Sequence, residues 1–323
     1  CRHPRKMAGG YGPRVWLALA TIYVVWGSTF MAITIAVRDV PPLAAMGIRH
    51  VTAGALLLAW ALSRGDRAGD RIGWAQVRAG LVFGGALFLL GHGGLAWAQQ
   101  TVPSGVASLL IGTIPLWMAL LDRAFFGKRL HPSATFGLVA GFVGLGILFD
   151  PFGAGSFDRV GAVVCVLSAL AWAAGSLYSR GAPLPRRPLV SAGLAALCGG
   201  ALLLVAGAAS GELGDIRLSA GALGAIAYLV VAGTLVGFTA YVWLLRNAPT
   251  SLVATYAYAN PVIAVALGAA LLGEDVTPRM LVAGAVIVGS VALIVRKSGT
   301  AVEPGRGLRR RRRTAPVEVS PGA

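Results

Sequence analysis

Hydrophobic residues fall along the chain in blocks of about 20, the length a helix needs to cross the hydrocarbon core of a bilayer. Short gaps rich in proline, glycine and charge separate the blocks. Ten blocks qualify as spans: Val15–Val37, Leu43–Leu62, Val77–Ala98, Gly105–Leu121, Ser133–Phe149, Val160–Tyr178, Leu189–Ala209, Ala220–Leu245, Ser251–Leu272 and Met280–Val295. No gap is long enough to hold a soluble domain. The first block is too long for a cleavable signal, and a second span follows at once. Met7 is read as a candidate initiator, since the chain begins at Cys1. The pattern predicts an all-α polytopic membrane protein of ten transmembrane helices.

Composition agrees. Charged residues make up 12% of the chain and hydrophobic residues 56%, against roughly 25% and about 45–50% in a soluble domain. So little charge cannot cover a soluble enzyme, and so much hydrophobicity excludes general disorder. Three cysteines exclude a disulfide scaffold; Cys165 and Cys198 read as small apolar residues within spans.

The net charge of +16 would suggest nucleic acid in a soluble protein. Here it reads as a topology signal. Of the 28 Lys and Arg, the outer loops would hold only Arg38, Arg159, Arg217 and Arg279, and Arg49 lies within a span; all others fall on the side of the N-terminus. Both termini are therefore expected in the cytoplasm. The basic run Arg309–Arg313 is expected either to lie on anionic inner-leaflet lipid or to be a solvated end.

The two halves repeat. Trp26 pairs with Trp172, Pro42 with Pro188, Trp97 with Trp243, Pro103 with Pro249, Pro115 with Pro261, Gly127 with Gly273 and Pro132 with Pro278, always 146 positions apart. Each copy holds five spans, an odd number, so the second enters the membrane from the opposite side. Inverted five-helix repeats are an architecture of secondary transporters, whose substrate site lies near the midplane between the copies. The expected organisation is an N-terminal tail (1–13), a first repeat (14–150), a second repeat (151–296) and a basic tail (297–323). Small residues four apart, at Gly80/Gly84, Gly137/Gly141 and Gly233/Gly237, are expected to let helices approach closely.

Lipid offers no hydrogen bonds, so polar side chains in spans should face partners or a wet cavity. The candidates for a substrate cavity are Trp26, Ser28 and Thr29 in the first span, His92 in the third, Thr113 and Trp117 in the fourth, Trp172 and Ser176 in the sixth, Tyr241 in the eighth, and Tyr256, Tyr258 and Asn260 in the ninth. Each aromatic residue has packing or an interfacial belt as its alternative role. Pro115 and Pro261 would kink the fourth and ninth spans at matching places. Arg49 is the one permanent charge deep in a span, about 9 Å from its start at 1.5 Å per residue. It is read either as a clamp on backbone carbonyls or as a ligand for an anionic group. His50 and His92 are candidates for proton transfer or for packing. No carboxylate lies mid-span, and Asp122 sits at a helix end.

The stretches Val25-Trp26-Gly27-Ser28-Thr29-Phe30, Val102-Pro103-Ser104-Gly105-Val106-Ala107, Ala171-Trp172 with Gly175-Ser176, and Thr255 to Val262 resemble the ten-helix drug/metabolite transporter superfamily with two EamA domains. Within it the chain is most similar to YedA-type exporters. The likeness covers about residues 14–296. It implies a basket with a central cavity lined mainly by the first, third, fourth, sixth, eighth and ninth helices, and export of amino acids, metabolites or drugs. The usual Leu-Gly-Glu after the fourth helix reads Phe126-Gly127-Lys128, while the second copy keeps Leu272-Gly273-Glu274. His92 stands where relatives often have Asn.

The expectation is thus a secondary exporter in the cytoplasmic membrane, working by alternating access, with no cofactor and no metal. Its expected partners are a small-molecule substrate and the lipid bilayer; a homodimer is left open, and nucleic acid is not expected. A sugar-phosphate or nucleotide-sugar transporter would need more than one basic group in the cavity. A membrane-embedded enzyme would need a cluster of acids, bases or metal ligands that the spans do not supply.

Overall fold

The computed structural model describes residues 11–64, 72–127, 131–149 and 158–298. Met7, the run Arg309–Arg313, the loop residues Arg67, Arg71, Lys128 and Arg129, and Asp150 lie outside them. The described residues form ten membrane helices and no strand. The helices are α1 (Pro13–Ala36), α2 (Pro42–Ser63), α3 (Trp74–Ala98), α4 (Ser104–Phe126), α5 (Pro132–Phe149), α6 (Arg159–Tyr178), α7 (Pro188–Ala209), α8 (Ala220–Asn247), α9 (Tyr256–Leu272, preceded by a turn of helix at Thr250–Val253) and α10 (Pro278–Ser298). They coincide with the ten apolar blocks, with ends displaced by a few residues.

The repeated prolines and glycines have a common local cause: they punctuate helices. Pro42 and Pro188 open α2 and α7, and Pro132 and Pro278 open α5 and α10. A first-turn proline loses no hydrogen bond and has the helical φ already set. Gly127 (φ 62°) and Gly273 (φ 68°) terminate α4 and α9 in the left-handed conformation that residues with a Cβ avoid.

The third helix of each repeat also departs from α-helical winding. Gly85–Gly93 in α3 and Leu229–Val236 in α8 are π-helical, a winding that is rare and concentrates at functional sites.

Packing follows a pseudo-twofold pattern. The most extensive pairings join α2 to α7 and α5 to α10. Contact between α1 and α9 is mirrored by α6 and α4, and contact between α3 and α6 by α8 and α1. Replacing each helix by the one five places on maps the bundle onto itself. The chain is therefore two inverted five-helix repeats enclosing one centre.

Glycine governs how closely the repeats approach. A Cβ on Gly54 would stand 2.6 Å from the Leu197 nitrogen, and one on Gly200 2.6 Å from the Val51 nitrogen. A Cβ on Gly84 would press into the Ala195 carbonyl. These positions join α2 and α3 to α7, backbone against backbone.

The ends of the bundle differ. Where α2, α4, α6 and α8 begin, side chains cap the helix starts, those of α2 and α4 from the other repeat. Glu212 accepts from the Leu43 and Ala44 amides (2.9 and 3.0 Å), and Glu274 from those of Ser104 and Gly105 (2.7 and 2.9 Å). Asp158 accepts from Val160 and Gly161 and from the Thr101 hydroxyl. Ser219 accepts from Ala222 and donates to Asp39 (2.5 Å). An acid at a helix start meets unsatisfied N–H groups and the positive end of the helix dipole. The opposite end carries an ion pair, Arg180 with Asp122 at 2.6 Å, and a bond from Arg187 to the Ala61 carbonyl.

Two outcomes test this description. Gly84→Val should lower thermal stability in detergent, with overpacking costing about 1–3 kcal/mol. Gly146→Ala, which meets nothing within 4 Å, should leave the melting temperature unchanged. The Asp158 carboxyl is held below the usual carboxylate range, first by the Thr101 hydroxyl and then by the Val160 amide. Its contribution is then present above the unfolded-state pKa and is lost as pH falls through the depressed folded value. In acid titrations of stability, Asp158→Asn should remove that segment of the pH dependence.

Candidate functional site

α4 and α9 are interrupted on facing sides of the centre. α4 breaks at Gly112 and Thr113, just before Pro115. α9 is separated from its leading turn at Ala254 and Thr255, and it carries Pro261 within the helix. Between them lies a cavity of about 100 Å³, lined by Phe30 of α1, Ser108, Ile111, Gly112, Ile114 and Pro115 of α4, Trp172 of α6, and Tyr256, Ala257, Asn260 and Pro261 of α9. Both repeats contribute, and the two repeat-related prolines face the same space.

The Asn260 amide reaches the carbonyls of Tyr256 (3.2 Å) and Tyr23 (3.3 Å) when its NH₂ is turned toward them. Tyr256 begins α9 just after the break, and Tyr23 lies on α1 beside it. Tyr23 bonds through its hydroxyl to Thr255, tying α1 to the interruption in α9.

A second layer adjoins the cavity. Trp26 lies edge-on to Tyr256 (centroids 5.0 Å apart) and tilted against Tyr241 (5.4 Å). Its indole N–H donates to the Gly233 carbonyl at 3.0 Å, inside the π-helical stretch of α8. Tyr241 and Phe238 face a crevice of about 460 Å³ that continues along α3 (Phe83, Leu87, Phe88) and the α6–α7 connection (Ala182, Leu184, Pro185).

Behind Trp172, opposite the cavity, lies a polar core. His92 lies tilted against Trp172 (centroids 4.9 Å apart) and is hydrogen-bonded to His50, Nδ1 to Nε2, at 2.8 Å. The two imidazoles lie nearly parallel, with Phe88 beside them. His50 is fully buried and its Nδ1 has no partner. Neighbouring Arg49 is buried too, at 4% exposure.

Of the residues singled out in the sequence, Trp172, Tyr256, Asn260, Pro115 and Pro261 line the cavity. Trp26, Tyr241 and His92 form the adjoining layers. Thr29 spends its hydroxyl on the Trp26 carbonyl (2.6 Å) and Ser176 on that of Trp172 (2.8 Å). Buried Ser28 bonds to Val25 and to the Tyr228 hydroxyl (2.6 Å). Thr113 is fully enclosed and bonds the Leu110 carbonyl at the α4 break. Trp117 packs edge-on against Phe142 of α5, and Tyr258 packs in the cluster between α4, α5 and α10. Sequence reasoning passed over Phe30, Ile111 and Ile114, because apolar residues in apolar spans carry no signal. It also passed over Ser108, whose hydroxyl bonds the Gly105 carbonyl.

The chain matches the EamA-like transporter family twice, over residues 14–149 and 159–296. It is 34% identical over 278 residues to a protein of Escherichia coli (strain K12) described as the uncharacterized inner membrane transporter YedA, covering 86% of this chain and 89% of that one. It is 25% identical over 287 residues to an uncharacterized transporter of Archaeoglobus fulgidus, covering 87% and 99%. A solved structure titled "Crystal structure of protein" superposes with a TM-score of 0.61 at 24% identity, covering 87% of this chain and 96% of that one, which shows a shared fold.

The histidine pair yields a stability test. His92→Leu leaves both ring nitrogens of buried His50 without partners and should cost about 1–3 kcal/mol in detergent unfolding. The double variant His50→Phe/His92→Leu should recover part of that loss, because no orphaned polar group remains. Equal losses in the single and double variants would show that the bond carries no such weight.

Proposed function

The chain belongs to the EamA-like transporter family and is a multi-pass membrane transporter; from that premise we propose that it is a secondary exporter of small organic metabolites, amino acids or drugs. Transport would proceed by alternating access, the two repeats rocking about the midplane so that the cavity opens to one side at a time. The observation that carries this reading is the cavity itself. It lies where interrupted helices from both repeats meet, with Pro115 and Pro261 related by the repeat and Trp172 and Tyr256 as aromatic walls. Interrupted helices free backbone carbonyls, which in lipid are tolerated only beside protein or a wet cavity.

The orientation in this reading rests on charge. The bias of Lys and Arg favours both termini in the cytoplasm. The crevice bordered by Tyr241 and the α6–α7 connection would then open to the cytoplasm, and the end capped by Glu212, Glu274, Asp158 and Asp39 would be the closed outer face. A cargo loads from inside through the crevice and leaves when the outer caps part. Trp26, Ser28, Thr29, His92, Thr113, Trp117, Ser176, Tyr241 and Tyr258 act in this reading as walls or supports of the path, and Trp172, Tyr256 and Asn260 meet the cargo. A dianionic phosphate cargo is disfavoured, since Arg49 is the one cation in the membrane interior.

Comparison of metabolites inside and outside cells with and without the protein should show at least one small organic compound depleted inside and enriched outside. In proteoliposomes loaded with that compound, Trp172→Ala and Asn260→Ala should cut flux by roughly tenfold, as loss of a central contact does, while the variants stay folded. Unchanged flux in both would remove the cavity from the path. A flux that ignores an imposed pH gradient would exclude proton transfer by His50 and His92.

A further inference from the structure

Arg49 is a buried cation without a counter-ion. It lies in the first half of α2, about 10 Å from the helix start at 1.5 Å per residue, and is 4% exposed. Its Nε is buried with no partner, and its Nη1 finds only the Met46 sulfur at 3.9 Å. Among the described residues it makes no hydrogen bond to a carbonyl or a carboxylate. The one carboxylate in a span, Asp122, sits at an end of α4 and is paired with Arg180. The guanidinium therefore neither snorkels to water nor clamps a helix, the two usual ways in which an intramembrane arginine is satisfied. A buried charge left unpaired is strongly unfavourable.

Gly233 lets the α8 backbone come close to this guanidinium. A Cβ on Gly233 would stand 3.5 Å from Nη2 of Arg49 and 3.2 Å from the Thr29 methyl. Gly233 lies within the π-helical stretch of α8, and its carbonyl takes the Trp26 indole N–H. Trp26 touches Phe238 and Tyr241, which border the crevice. The order from open space inward is thus crevice, Trp26, Gly233, Arg49.

We propose that Arg49 is the carboxylate-binding residue of the transport path, so that the cargo carries one carboxylate on an aromatic or branched apolar body. The inference rests on the transporter reading above and narrows its substrate class. A guanidinium presents a planar fork of donors that matches the two oxygens of a carboxylate, and a single cation balances a single negative charge. The rings of Trp26, Tyr241 and Tyr256 provide the adjoining surface for an apolar body. His50 and His92, beside Arg49, carry no negative charge that could compete for it.

The test is binding to the purified full chain in detergent, by calorimetry, of 3-phenylpropionate, indole-3-acetate and 4-methylpentanoate, each against its neutral amide. At least one acid should bind about tenfold or more tightly than its amide, a difference of about 1.4 kcal/mol. Arg49→Gln should abolish that preference, and Arg49→Lys should keep part of it. Gly233→Ala, which adds a methyl 3.5 Å from Nη2 and leaves the charge, should weaken the acid more than the amide. This second variant answers the question even where Arg49→Gln does not fold. The proposal is overturned if no acid is preferred over its amide, or if Arg49→Gln or Gly233→Ala leaves the preference intact. Acids and amides bound alike, with both lost in Asn260→Ala, would sink the role of Arg49 and leave the cavity reading standing. No binding of any probe, together with exported compounds that lack a carboxylate, would do the same.

Discussion

Inside a bilayer each backbone amide and carbonyl must find its partner within the protein, because the surrounding hydrocarbon supplies none. That constraint makes the chain all-helical, and it also explains where the helices fail. α4 is interrupted at Gly112 and Thr113 and α9 at Ala254 and Thr255. In both places a threonine turns its amide and its hydroxyl onto one carbonyl: Thr113 onto that of Leu110, and Thr255 onto that of Leu252. The Asn260 amide adds bonds to the Tyr256 and Tyr23 carbonyls beside the second interruption. Both interruptions border the one small cavity between α4 and α9.

Much of this was legible in the chain. Ten apolar blocks gave ten helices because length and composition are what the bilayer selects. The 146-residue spacing of tryptophan, proline and glycine marked the duplication, and the structure supplies the local reasons: Pro42, Pro132, Pro188 and Pro278 start helices, while Gly127 and Gly273 stop them. The π-helical stretches were not legible. A change of pairing from i+4 to i+5 leaves no mark in composition, and the glycines of α3 and α8 read equally well as packing surfaces.

The candidate site was legible in part, and the reason lies in hydroxyl chemistry. Serine and threonine in helices can return their hydrogen bond to a carbonyl three or four residues back. Thr29, Thr113 and Ser176 do so, and Ser28 adds a bond to Tyr228. A search for polar residues in spans therefore gathers side chains already satisfied at home. Asn260 and the aromatic residues have larger reach and mark the cavity better. Phe30, Ile111 and Ile114 line it without any feature that separates them from lipid-facing neighbours. The pairing of His50 with His92 needed the three-dimensional register of α2 against α3, which spacing along the chain does not encode.

The acid caps at one end of the bundle bear on how the duplicated halves relate. Glu212 and Glu274 belong to the second repeat, yet they complete the starts of α2 and α4 in the first. At the position 146 residues before Glu274 the chain has Lys128, so this donation has no like-charged reciprocal. At the start of α4 the first half therefore borrows a group it does not itself encode, and the two copies have diverged from interchangeable twins into specialised, mutually dependent parts.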